Sequence, residues 1–161
     1  MRFVSGSDFS WFYQPYTTDD VDGDIPYYGH QIITRPTQLK PYSEIISPLF
    51  PRVYDVLKGI LEFNDIECRI IYRLNFNCMF SLETDIEHTP YHKDMYGIPH
   101  KNIIVYMSSF DGGYTFIKED DEVIKYDPSE DKIILFDGDC DHSIAPTVGN
   151  NRRIVLVGCF D

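Results

Sequence analysis

The stretch Arg69-Ile70-Ile71-Tyr72-Arg73-Leu74-Asn75-Phe76-Asn77-Cys78-Met79-Phe80 decides the fold class. Side chains along an extended strand point alternately to its two faces. Leu74, Phe76, Cys78 and Phe80 therefore share one face, and Arg73, Asn75 and Asn77 share the other. A strand this long, apolar on one side, belongs inside a sheet, and its polar side must meet either solvent or a polar cavity. Downstream the same period-two alternation recurs, rich in β-branched and aromatic residues and punctuated by Gly, Pro and Asp, over 102–107, 114–118, 122–126, 132–136 and 153–159. Upstream, Leu49, Val53, Tyr54, Leu57, Ile60 and Leu61 recur at helical spacing, and Ser47-Pro48 reads as an N-cap followed by a first helical residue, which predicts one amphipathic helix to about Phe63. The first forty residues read as an edge strand around Phe9-Ser10-Trp11-Phe12-Tyr13 and loops, including the irregular run 17–23. Parallel βαβ units would need helices between the strands, and no such segments occur. The expected class is mainly β with a flanking helix, built on a double-stranded β-helix (jelly-roll) core.

At 161 residues the chain is expected to form a single domain, residues 1–161, large enough for one buried core. A hydrophobic fraction of 43% with 12 Tyr and 11 Phe argues against disorder. The net charge of -12 at pH 7, without a run of Lys or Arg, argues against a nucleic-acid partner. No stretch of apolar residues is long enough to span a bilayer, and Met1 to Ser5 does not begin a cationic-then-apolar leader, so a cytoplasmic protein with no membrane partner is expected. Cys68, Cys78, Cys140 and Cys159 are isolated from one another, which suggests reduced core residues rather than a zinc ribbon or a disulfide framework.

His92-Lys93-Asp94 places two potential ligands two residues apart, on one side of an extended segment, where they can converge on one ion. His142, reached from the 132–136 strand through Asp137-Gly138-Asp139-Cys140-Asp141, is the candidate third ligand. Two imidazoles and a carboxylate are the donor set of non-haem iron(II) oxygenases, which leaves coordination positions for a chelating co-substrate and dioxygen. His-x-Asp is too short to be decisive alone. His88 is the rival first ligand, while His30 and His100 have no partner arrangement of this kind. A 2-oxo acid also needs a cation, and Arg153 at the head of the last strand can pair with a carboxylate bidentately. Arg152 competes for that role. Strand alternation turns only one of the two inward, and Arg153 is favoured because Ile154-Val155-Leu156 continues directly from it.

Together these residues resemble the small 2-oxoglutarate/iron(II) oxygenases of the prolyl 4-hydroxylase-like group, particularly the short forms of phage and bacterial genomes. The carrying segments are Phe9 to Tyr13, Arg73 to Asn77, His88 to Asp94, Asp111-Gly112-Gly113-Tyr114-Thr115-Phe116, Leu135 to Gly138, and His142-Ser143-Ile144-Ala145-Pro146. The resemblance implies iron(II) held by His92, Asp94 and His142, and 2-oxoglutarate held by the basic residue of the last strand. It also implies that the Gly112-Gly113 hairpin precedes a core strand and that Tyr72, Arg73 or Asn77 faces the co-substrate. The expected reaction is hydroxylation of a C–H bond in a small molecule or a prolyl-like peptide, with dioxygen consumed and succinate and carbon dioxide released. Arginine in place of lysine at the co-substrate position departs from the prolyl hydroxylase pattern. The competing readings are a non-catalytic jelly-roll binding or structural domain and a cupin-like metalloprotein, neither of which requires Arg153. The lid over the metal is expected from the loops of 17–37 and from 95–100.

Overall fold

In the computed structural model, which describes residues 2–18 and 24–161, a 3-10 turn at Arg2–Ser5 leads into β1 (Phe12–Gln14), β2 (Tyr27–Ile33) and α1 (Phe50–Phe63). The rest is sheet: β3 (Ile71–Met79), β4 (Lys101–Tyr106), β5 (Asp111–Gly112), β6 (Thr115–Glu119), β7 (Glu122–Tyr126), β8 (Ile133–Asp137), β9 (His142–Ile144), β10 (Thr147–Val148) and β11 (Arg153–Phe160). Every pairing is antiparallel. The large sheet runs β1-β2-β3-β11-β4-β8, the small one β7-β6-β9, and β10 pairs with β5. An isolated bridge between His92 and His142 adds the metal-motif segment to the open side of β9. This is the jelly-roll core expected from the alternation.

Alternation on the large sheet divides the core into two compartments. Leu74, Phe76 and Cys78 of β3, Ile103 and Val105 of β4, and Ile154, Leu156 and Phe160 of β11 pack against Val53, Leu57 and Leu61 of α1. The opposite faces of β4, β8 and β11 send Ile104, Tyr106, Ile134, Phe136, Val155 and Val157 into the space under the small sheet, where they meet Ile117 and Phe110. One long helix supplies the outer cover, so the inner space is left to the site.

Several local expectations are corrected. The helix starts at Phe50 with Leu49 as N-cap residue, not at Ser47-Pro48. The Ser47 carbonyl instead closes a turn with the Phe50 amide, and its hydroxyl is engaged by His30 Nε2 and the Leu49 amide. The segment 27–33, read as loop, is a seven-residue strand between β1 and β3. Gly29, His30 and Gln31 blur its alternation, and its register shifts between Gln31 and Ile33, which hides it from periodicity. A lid made from all of 17–37 is therefore ruled out for the β2 portion, while residues 19–23 of that span, and of the irregular run 17–23, lie outside the described residues. The four cysteines are free, but only Cys78 and Cys159 are buried. Among the described residues no helix is long and apolar enough to cross a membrane.

Gly112 and Gly113 hold φ of 68° and 58°, the left-handed region where a side chain is strained. A Cβ on Gly113 would sit 2.7 Å from the Phe110 ring, so this turn into β6 requires glycine on both counts.

Candidate metal centre

His92, Asp94 and His142 converge, with one ligand atom from each lying within 4.8 Å of the others. The reason is local pairing. The His92 amide donates to the His142 carbonyl at 3.0 Å and the reverse bond is 2.9 Å, which holds the two imidazoles side by side with centroids 4.4 Å apart. Asp94, two residues on, points the same way. His92 Nδ1 lies 3.2 Å from the Pro90 carbonyl and His142 Nδ1 3.5 Å from that of Cys140. Protonated at Nδ1, each ring is left with Nε2 as the free donor atom, and His142 Nε2 stands 3.7 Å from Asp94 Oδ2. Neutral imidazoles and an ionised carboxylate are the forms a divalent ion needs, and the surroundings favour both. Burial, with the neighbouring His92, pulls the His142 pKa down to about 4 against the attraction of Asp94. Burial opposes the Asp94 charge, but Arg73, His142, His92 and Arg35 outweigh it and hold the carboxyl well below its ordinary range.

Arg73 is the part of this centre that spacing alone did not define. It reaches from the inner face of β3 to Asp94 Oδ1 in a direct ion pair, which leaves Oδ2 turned to His142. Burial disfavours the guanidinium charge, yet Asp94, Cys159 and Tyr27 raise its pKa above the ordinary value. Arg35 Nη1 donates to the Asp94 carbonyl at 3.1 Å, so the chain just after β2 clamps the same residue.

Arg153 lies on the inner face of β11, 2% exposed. Its Nε and Nη2 make long contacts of 3.4 Å to the Gly113 carbonyl and Thr115 Oγ1, and its guanidinium carbon sits 5.7 Å from the Tyr106 ring centroid. The Tyr106 hydroxyl and Thr115 Oγ1 are 2.7 Å apart. Burial lowers the Arg153 pKa, and among the described residues no carboxylate stands within ion-pair distance of it. Arg152 points the other way, donating to the Ser5 carbonyl at 3.1 Å, because β11 alternates. It is not brought to the centre.

Asn77 shares the inner face with Arg73 and accepts a hydrogen bond from Asn75 Nδ2. Tyr72 does not share it. That residue lines a separate cavity of about 510 Å³ with Phe50 and Tyr54, on the helix side of the sheet. Its expected contact with the co-substrate is therefore corrected. His88 binds the Thr89 carbonyl at 2.7 Å and stacks near Tyr91 and Phe116, His100 binds the Ile98 carbonyl, and His30 is held by Ser10 and Ser47; none joins the trio.

No family model matches the sequence, and no curated protein matches it. Solved structures do resemble the fold. A 2OG-Fe(II) oxygenase family oxidoreductase from Burkholderia pseudomallei superposes with a TM-score of 0.72 at 15% identity, over 93% of this chain and 73% of that one. A prolyl-4-hydroxylase from Pseudomonas putida gives 0.55 at 15% identity over 83% and 68%. A prolyl hydroxylase from Trichoplax adhaerens, solved with a hypoxia inducible factor peptide fragment, gives 0.57 at 11% identity over 91% and 71%. The fold is thus that of the 2-oxoglutarate/iron(II) oxygenases, the prolyl hydroxylases among them.

Proposed function

We propose that this chain, acting as one unit over 1–161, is an iron(II) and 2-oxoglutarate dependent dioxygenase that hydroxylates a C–H bond of a small molecule or peptide. The observation that carries the reading is a buried guanidinium, Arg153, without an anionic partner among the described residues, in the same inner space as a His-Asp-His trio. A buried cation without a counter-ion is costly unless a ligand supplies one. A dicarboxylate chelating a metal at the trio would present its far carboxylate to such a group. A plain jelly-roll binding domain or a cupin-like metalloprotein has no use for that combination.

Iron(II), when bound with 2-oxoglutarate and dioxygen, supplies oxidative decarboxylation to succinate and carbon dioxide and delivers the second oxygen atom to the C–H bond. The chain's own work is positional. His92 and His142 offer Nε2 and Asp94 offers Oδ2, while Arg73 holds Oδ1 and fixes the carboxylate rotamer. Arg153, oriented by Thr115 and the Gly113 carbonyl, holds the distal carboxylate, with Asn77 on the neighbouring strand. Ile104, Tyr106, Ile117, Phe136, Val155 and Val157 exclude water from the chamber. Anaerobic addition of 2-oxoglutarate to the iron(II)-loaded protein tests this by the visible charge-transfer band of the chelate. Its absence, or its persistence at unchanged 2-oxoglutarate affinity in Arg153→Leu, would overturn the reading.

A further inference from the structure

A cavity of about 610 Å³ opens along β2, reaching Asn75 on the inner face of the large sheet, and nothing in the catalytic argument uses it. Its volume falls within the range of small-ligand sites. Its lining includes Phe12, Gln14, Tyr27, Gly29, Gln31 and Asn75, and among the described residues none that lines it is acidic, lysine or arginine. Its single histidine, His30, already has both ring nitrogens engaged, by the Ser10 carbonyl at 2.7 Å and Ser47 Oγ at 2.9 Å. For a chain of net charge -12, the described lining of this recess is electrically neutral.

Two details show a built recess. Asn75 is 1% exposed and its Oδ1 has no partner, although its Nδ2 is used on Asn77. A buried acceptor left open costs free energy unless a ligand donates to it. Next to Asn75 the lining residue is a glycine. A Cβ on Gly29 would meet the Tyr27 ring at 3.3 Å, Gln14 Cγ at 3.6 Å and Asn75 Nδ2 at 3.7 Å, so the missing side chain is what keeps space open between these groups. Gly29 has no positive φ, so its use here is spatial rather than conformational.

Two lining residues, Asn75 and Tyr27, stand near the residues that surround the metal centre. Asn75 stands two residues from Arg73 on the same inner face of β3, and Arg73 grips Asp94. Tyr27 lies close enough to feel the charges of Arg73, Arg35 and Asp94 on top of its own burial.

We propose that this cavity receives the second substrate and that the group it recognises is an uncharged amide, in a peptide backbone or in a small carboxamide. The carboxamides of Gln14, Gln31 and Asn75 each carry both a donor and an acceptor and so match an amide's N–H and C=O, while Phe12 and Tyr27 cover its apolar flanks. The proposal rests on the oxygenase reading for the fate of the ligand, whereas binding itself requires no metal.

The test is an NMR titration of isotope-labelled metal-free protein, following the side-chain amide signals of Gln14, Gln31 and Asn75. The probes are N-acetylglycine N-methylamide, N-methylacetamide and glucose. Both amides should shift these three signals, and glucose should not. Tighter binding of the blocked glycine assigns the site to peptides, and equal binding assigns it to small amides. Gly29→Val, which fills the recess with carbon and leaves the three carboxamides in place, should abolish the shifts. Gln31→Leu, a substitution at an exposed position that puts folding at little risk, should weaken binding about tenfold, as expected for losing a hydrogen-bonding group. Equal or stronger shifts with glucose, no shifts with either amide, or unchanged binding in both variants would overturn the proposal. Amide shifts without a charge-transfer band would sink the oxygenase reading and leave the amide site standing, and a band without amide shifts would do the reverse.

Discussion

Replacing Arg153 with leucine should act in opposite directions on ligand affinity and on the stability of the empty protein. The guanidinium has five N–H donors; its contacts to the Gly113 carbonyl and Thr115 Oγ1 are 3.4 Å, longer than an ordinary N–H···O bond, and the Tyr106 side chain is its other polar neighbour. Its charge thus has no carboxylate partner among the described residues, and part of its hydrogen-bonding capacity is unused. Truncating one partner of a buried charge pair costs roughly 2–5 kcal/mol, and about 1.4 kcal/mol corresponds to tenfold, so 2-oxoglutarate affinity should fall by roughly thirtyfold to several-thousandfold. The ligand-free protein should behave differently. A leucine beside Val155 and Tyr106 removes a desolvated cation and adds apolar contact, so Tm should hold or rise, with about 2–4 °C per kcal/mol as the scale at this chain length. Arg153→Lys should fall between, because it keeps the charge and loses the fork. The assays are calorimetric titration of 2-oxoglutarate into metal-loaded protein and thermal unfolding of the metal-free form. A variant that loses several degrees of Tm while binding 2-oxoglutarate normally would show that Arg153 is a structural residue, and the reasoning would fail.

The remaining predictions concern the trio, acid and the partner class. His92→Ala, Asp94→Ala and His142→Ala should each lose iron(II) binding and 2-oxoglutarate turnover while remaining folded, whereas His88→Ala, His100→Ala and Arg152→Leu should retain both; wild-type succinate formation in any of the first three would reject the trio. Metal-free protein should lose stability as pH falls from the ordinary imidazole value of 6.5 to about 4, because the unfolded chain then takes up a proton that buried His142 refuses. The loss should be on the order of a few kcal/mol, with a further decline below the ordinary carboxyl range as Asp94 is forced to protonate, and a urea midpoint that stays flat across the first window would contradict it. Turnover of 2-oxoglutarate should be stimulated by free amino acids or by peptides and not by DNA or RNA; single-stranded oligonucleotides binding tightly at low salt and weakly at high salt would show the partner class to be wrong.

Much of this was legible in local patterns. The alternation through Arg69 to Phe80, the apolar stripe before Phe63 and the lack of helices between strands lead to a jelly roll with one helix, because period two and period 3.6 are properties of neighbouring residues. His92 and Asp94 are two apart, so their shared direction follows from strand geometry alone. Arg153 and Arg152 are separated by the same logic once the strand phase is known, but the phase itself was settled by the register of β11 against β3, where Arg153 lies opposite Met79. What tertiary structure alone decided are the meetings between distant segments. His142 stands beside His92 because two backbone hydrogen bonds join them, and Asp94 meets Arg73 because β3 passes beneath that junction. β2 was missed because Gly29, His30 and Gln31 interrupt its hydrophobic alternation, while its pairing with β1 and β3 makes it a strand. Spacing reports which way a side chain points within its own element, and only the packing of elements determines what it points at.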